Sequence, residues 1–235
     1  MKSEIEINGR KYQRLPIRTH IIMPGESLFD LVEKYVMSEI QHSEFIIHNS
    51  EIAFLAISEK IVAIMQDRSF PIKDIKAGFW ARLLVKFVHK TSSGIGLGIP
   101  ETMQLAISEA GLFRILLASF LSAITKPLGF KGIFYRAAGH NINAIDGPTS
   151  YTLPPYNTYA KLPPLNPVKV AREIFEKYNL PCAIIDANDL GVNVLGWSEK
   201  IEVELVKKIF RDNPLGQTNE QTPLCLVWQK VGDIL

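Results

Sequence analysis

Between Arg114 and Lys126 the chain runs through Ile115–Thr125 without one charged side chain, and this run limits the possible folds more than any other feature. A helix that crosses a bilayer needs roughly 20 apolar residues, and the run supplies only about half of that. It predicts a buried core helix rather than a membrane anchor, and such a helix needs a sizeable core around it. The composition agrees, with 47% apolar and 21% charged residues and a mean hydropathy of +0.09. Wholesale disorder is excluded on those figures. Lys+Arg 26 against Asp+Glu 24 leaves a net charge of +2, too balanced for the basic footprint of a nucleic-acid binder. The opening residues, Met1 to Ile7, alternate charge with isoleucine and lack the apolar stretch of a signal peptide. Two cysteines, Cys182 and Cys225, cannot build a disulfide framework or, alone, a zinc site. The expectation is a soluble, cytoplasmic protein rich in core, with no nucleic-acid or membrane partner.

The remaining pattern alternates strands and helices. Ile5 and Ile7, then Tyr12, Leu15 and Ile17, predict a strand pair turned at Asn8-Gly9. Pro24-Gly25-Glu26-Ser27 leads into a helix bearing Leu28, Leu31, Val32, Tyr35 and Val36. Short strands are expected at Phe45–Ile47 and Ile52–Ile57, with Ile61–Met65 open to either state. Phe79–Val88 has helical spacing. A glycine-rich stretch, Ser92 to Pro100, precedes two helices meeting at Gly111, the second stopped by Pro127 and Gly129. Gly132–Ala137 reads as a strand. Residues 150–168 hold Pro154, Pro155, Pro163, Pro164 and Pro167, which no central strand tolerates. Val168–Tyr178 and Ile201–Phe210 are amphipathic helices, Cys182–Ile185 a buried strand and Leu224–Trp228 a closing strand. The class is α+β, a mixed α/β arrangement. It is read as one domain over 1–235 or as two interlocked lobes, about 1–90 with 130–235, carrying a helical insertion near 100–130.

The strongest chemical constellation is Asp186, Asn188 and Asp189, oxygen donors at the carboxyl end of an apolar strand. Ligands of open α/β sheets bind at that end, and carboxylate with amide oxygen suits Mg²⁺ or Mn²⁺. An EF-hand is excluded because Leu190 and Trp197 stand at its fifth and twelfth positions. The same residues also compose an ordinary Asx-rich turn between strand and helix. Asp146, in Asp-Gly-Pro, stands in a similar setting, and two carboxylates from separate strands suit one metal and phosphate chemistry. Gly94, Gly96 and Gly98 match neither a dinucleotide fingerprint nor a P-loop. His140 is a candidate general base or a hydrogen-bonded structural residue. Lys60 ends an apolar run as a phosphate-facing lysine would. The polar loop from Gly216 through Gln217 and Thr218 to Pro223 could meet phosphate, or metal through Glu220, or be a plain connector. Cys182 reads as an inert core thiol.

Taken together, the segments resemble the coenzyme F420:L-glutamate ligase family. The resemblance rests on Ile21-Ile22-Met23-Pro24-Gly25-Glu26-Ser27-Leu28, on Ala56 through Ser58-Glu59-Lys60 to Arg68, and on Asn143-Ala144-Ile145-Asp146. Leu162-Pro163-Pro164 and Ala183-Ile184-Ile185-Asp186-Ala187-Asn188 continue it in the same order. The departures are Ile64 at the family's lysine, with Lys60 the nearby substitute, Ala187 at its threonine and Val192 at its arginine. The stretch before the C-terminal loop is also shorter, and 112–131 is expanded and very apolar.

What the resemblance implies is a GTP-using, metal-dependent ligase that forms an amide between an activated carboxylate and glutamate or a similar amine. Asp146 and Asp186 are the metal ligands the resemblance carries over, and the residues themselves add Asn188, Asp189 and Glu220 as candidates to hold Mg²⁺ or Mn²⁺ with them. Lys60, Arg68, Gly216, Gln217 and Thr218 would meet the nucleotide. Lys60 and His140 are the catalytic candidates, with Arg68 or His140 orienting a small anionic acceptor. The family's fold, with interlocked sheet-containing lobes, and its homodimer are implied in the same way. The alternative is a non-catalytic nucleotide- or anion-binding relative, which the replaced lysine and threonine favour. A third reading is a chiefly structural dimer partner joined through 112–130.

Overall fold

The computed structural model describes residues 3–42, 50–88, 95–188, 191–216 and 218–230. The expected strand at Phe45–Ile47, the donor Asp189, Gln217 and Gly94 lie outside these. The fold is α+β, and the chain forms two compact units. One comprises Met1–Gln66 with Pro164–Leu235, and the other is the continuous stretch Asp67–Pro163. They are called the sheet unit and the helical unit below.

In the sheet unit, β1 (Glu4–Ile7) and β2 (Arg10–Ile17) form a hairpin at Asn8-Gly9. Both turn residues have positive φ, 52° and 77°, as a two-residue turn that follows strand twist requires. A helix spanning residues 28–42, π-helical from Val32 to Met37, starts at Ser27, whose hydroxyl accepts from Asp30 N at 3.3 Å. It is α1. Next come β3 (Ser50–Ser58) and α2 (Glu59–Met65), so Ile61–Met65 is helical. The remaining elements of this unit follow the insertion. The sheet has the order β1-β2-β8-β3-β6-β7, where β6 is Cys182–Asn188, β7 Gly191–Trp197 and β8 Leu224–Lys230. Only β3 and β6 run parallel, with Ser58 opposite Ile185; the other neighbours are antiparallel.

One face of the sheet buries Phe54, Ala56, Ala183, Ile185, Cys225 and Val227 against Val206, Ile209 and Phe210 of the helix Val203–Phe210. Alternate residues, Leu55, Ile57, Ile184, Leu224 and Leu226, are equally buried, which is why these strands read as unbroken apolar runs. The helix Pro167–Tyr178 packs on β6 and β7. Arg14 of β2 is fully buried. Its guanidinium donates to the Ile209 carbonyl at 2.8 Å and pairs with Asp212, closing the carboxyl end of that helix. Both cysteines are free and buried, and desolvation pushes the Cys225 thiol up to about 12 and Cys182 higher still. The inert-thiol reading of Cys182 agrees with that burial.

The helical unit opens and closes on a two-stranded ladder, β4 (Ser69–Pro71) with β5 (Tyr159–Lys161). Between them lie α3 (Phe79–Leu84), α4 (Pro100–Ala110), α5 (Leu112–Thr125) and α6 (Ile133–Ala138). The two helices of the sheet unit that follow are α7 (Pro167–Tyr178) and α8 (Val203–Phe210). The core of the helical unit gathers Ala81, Met103, Leu105, Ala106, Ile115, Ala118, Ile142 and Ile145. Three expectations are corrected here. Gly132–Ala137 is not a strand but the start of α6, a short apolar run whose period could not be settled by counting. Asp186 and Asn188 are followed by the antiparallel strand β7, not by a helix. And α5 is not a buried core helix: only Ile115 and Ala118 are buried, while Phe113, Leu117, Phe120, Leu121 and Ile124 face outward.

Candidate functional site

The parallel pair fixes where chemistry can gather. β6 extends beyond the end of β3 by Asp186, Ala187 and Asn188, because Ser58 already pairs with Ile185. The chain leaving β3 turns straight into Glu59-Lys60 at the start of α2. β8 begins beside the same end, with Leu224 opposite Ile57 and Ser58 N donating to Pro223 O at 2.8 Å. Leu224 also faces Ile17, the last residue of β2, and Thr19 N donates to Gln221 O at 2.9 Å. The end of the sheet where β3 and β6 terminate thus carries Lys60, Asp186, Asn188 and the chain entering β8 from Gln221 onward. Sequence separations of more than a hundred residues are closed by register alone.

Asp186 and Asn188 lie on the same side of β6, two residues apart, and Asn188 Nδ2 donates to Asp186 Oδ1 at 3.4 Å. A carboxylate beside an amide suits a hard, largely hydrated cation, since Mg²⁺ takes only one or two protein carboxylates. The Asn188 amide must turn to offer its oxygen. Among the described residues, no three His, Cys, Asp or Glu side chains form a metal-ligating group.

In the loop 216–223, Glu220 accepts from Thr218 N at 2.7 Å and from the Thr218 hydroxyl at 3.0 Å. Partial burial raises its pKa, but these bonds and the one from its own backbone outweigh that and hold it below the usual carboxylate range. Gly216 has φ 76°, and a Cβ there would overlap the Glu220 carboxyl group. Thr218 and Glu220 are therefore engaged with each other, and the Glu220 carboxyl lies against Gly216.

Arg68, His140 and Asp146 belong to the helical unit. Asp146 bridges backbone to backbone with Lys161, and its Oδ2 stands 3.6 Å from the Lys161 ammonium. Lys161 is 4% exposed and donates to Ala144 O at 2.8 Å. Arg68 pairs with Glu109 at 2.7 Å and donates through Nε to Pro163 O. His140 is exposed, with a positive φ of 52°.

Two groups at the end of the sheet where β3 and β6 terminate escaped the sequence reading. Glu59, next to Lys60, is a carboxylate only 2% exposed. His20, just past β2, has its Nε2 2.7 Å from Glu26 Oε2 and its Nδ1 2.8 Å from the Tyr35 hydroxyl. The available signal was Pro24-Gly25, a turn that returns Glu26 to the residue six positions before it.

Comparison with protein-family models returns no match, and comparison with curated proteins returns none.

Proposed function

We propose that this protein is a metal- and nucleotide-dependent amide-forming ligase of the coenzyme F420:L-glutamate ligase type, using GTP to activate a small anionic acceptor. The observation that carries the reading is that Lys60, Asp186, Asn188 and the chain entering β8 all lie at the end of the sheet where its one parallel pair, β3 and β6, terminates, the end at which parallel α/β sheets bind ligands. A divalent cation at Asp186 and Asn188 supplies charge neutralisation on phosphate oxygens. Lys60 adds a compact positive charge, suited to phosphate as a point charge. The loop 216–223 offers backbone N–H groups of the kind that cradle anions, once the Thr218 N–H is released from Glu220.

One feature favours the non-catalytic alternative: Thr218 and Glu220 satisfy each other, with the Glu220 carboxyl packed over Gly216. Both readings are tested by calorimetric titration of GTP and ATP, with Mg²⁺ or Mn²⁺, into wild type and Asp186→Ala. The ligase predicts metal-dependent nucleotide binding, weakened at least about tenfold by Asp186→Ala, together with glutamate-dependent phosphate release on phospholactyl-type acceptors. Binding without that release supports the non-catalytic relative. No nucleotide binding with either metal overturns both.

A further inference from the structure

The face that α5 turns outward is an apolar stripe with no partner among the described residues. Phe113, Leu117, Phe120, Leu121, Ile124 and Leu128 recur at the three- and four-residue spacing of one side of a helix. Phe113 is 81% exposed and Phe120 61%. Phe130, just past the turn that ends the helix, is 58% exposed. Water-facing aromatics in a row are costly, and contiguous apolar patches of this kind mark interaction surfaces.

Charge says what covers it. From Ala110 to Ile145 there is no Asp or Glu, while Arg114, Lys126, Lys131 and Arg136 are all present and exposed. Phenylalanine and leucine on one side, flanked by long cationic side chains that reach to a headgroup, are the composition of a helix lying in a bilayer interface. A second copy fits less well: a two-fold contact sets the patch against itself, bringing the cations Arg114, Lys126 and Lys131 of one copy towards those of the other with no acid on the segment to pair them. Crossing the bilayer is not supported. No single described helix is long and apolar enough, and α4, the other half of the one bent apolar pair, buries Thr102, Met103, Leu105 and Ala106.

We propose that the exposed face of α5 and the turn after it is a peripheral docking surface for membranes rich in anionic lipid. The helix lies in the plane of the interface, with Phe113, Phe120 and Phe130 below the headgroups and Arg114, Lys126 and Lys131 among the phosphates. Each such cation strengthens binding about fivefold at low salt. The docking needs no nucleotide and is independent of the ligase reading.

The test is co-sedimentation of the full chain with extruded phosphatidylcholine vesicles, with and without phosphatidylglycerol, at low and high salt. Wild type should pellet with the anionic vesicles at least about tenfold more strongly than with the neutral ones, and salt should erase that preference. Lys126→Gln with Lys131→Gln, both exposed positions, should lose most of the anionic preference while melting as wild type does. Phe113→Glu with Phe120→Glu should abolish vesicle binding altogether. No binding of wild type to anionic vesicles overturns the proposal, as does lipid binding that both double variants retain. A wild-type dimer in sedimentation equilibrium that Phe113→Glu with Phe120→Glu dissociates, without vesicle binding, assigns the face to a second copy and overturns it too. Should the phenylalanine variant fail to fold, the lysine variant decides alone.

Discussion

The sheet unit and the helical unit draw on similar apolar residues and dispose of them in opposite directions. In the sheet unit, β6 buries Cys182 through Ile185 on both faces, and α7 and α8 turn apolar sides inward. Their outer sides carry interleaved charges, as in Lys169–Glu173 and Lys207–Glu204, and Arg172 of α7 pairs with Glu199 beyond β7. In the helical unit, α5 spends only Ile115 and Ala118 on the core and shows its largest side chains to the outside. Hydropathy alone does not bury a helix: α5 is the most apolar of the three and the least buried. The placement of charge separates the two cases: a helix that buries its apolar side carries ions on the other, and α5 has none along its length beyond Arg114.

The contrast can be broken by substitution. Ile184→Ala, at a fully buried site in β6, should cost about 3–4 kcal/mol of unfolding free energy by denaturant titration, through lost transfer energy and the cavity left behind. A cost below about 1 kcal/mol would mean that the sheet core is loosely packed.

Next in size, Asp212→Ala strands the buried Arg14. The expected loss is about 2 kcal/mol, below the 3–5 of a fully buried pair because the Asp212 side chain is 40% exposed. The Arg14 hydrogen bond, ahead of the opposing desolvation, holds the Asp212 carboxyl below its usual range. A lowered folded-state pKa gives stabilisation that is complete above the unfolded value of about 3.9 and is lost as pH falls through the folded one. Wild type should therefore lose stability below about pH 4, and Asp212→Ala should show a shallower acid limb in thermal melts.

Smaller again, Gly216→Ala should cost about 1–2 kcal/mol, since its positive φ and the overlap with Glu220 act together. If the loop instead opens to a ligand, the same variant should alter nucleotide affinity more than stability. Smallest is Phe120→Ser on α5, which should change unfolding free energy by no more than about 0.5 kcal/mol despite removing an aromatic ring. A loss above about 2 kcal/mol would show that this side chain is covered in solution.

Much of the sheet unit was legible in the sequence because its signals are local. Asn8-Gly9 sets its own turn, Ser27 caps its own helix, and the amphipathic period of α7 and α8 needs no partner to be seen. The β6–β7 hairpin was not legible, since Asp186 to Gly191 has the composition of a turn leading anywhere. The direction of α5 was not legible from its apolar run alone, because burial and exposure of such a run differ only in what lies against it. At the candidate site the residue types could be read, but their neighbours could not. Nothing near Asp146 in the sequence announces Lys161 as its ion partner, nothing near Arg68 announces Glu109, and the meeting of Ser58 with Ile185 and of Ile57 with Leu224 is a property of register.

One small clamp has a consequence for the history and handling of the chain. Gln66 donates through its side-chain amide to Leu165 O at 3.1 Å and accepts from Leu165 N at 2.6 Å, so the chain leaves the sheet unit and returns to it at a single doorway. The helical unit likewise begins and ends on paired strands, with Ser69 opposite Lys161. A module with that threshold can be gained, lost or exchanged without rethreading its host. Replacing residues 67–163 by a few glycines is the natural way to ask whether the sheet came first.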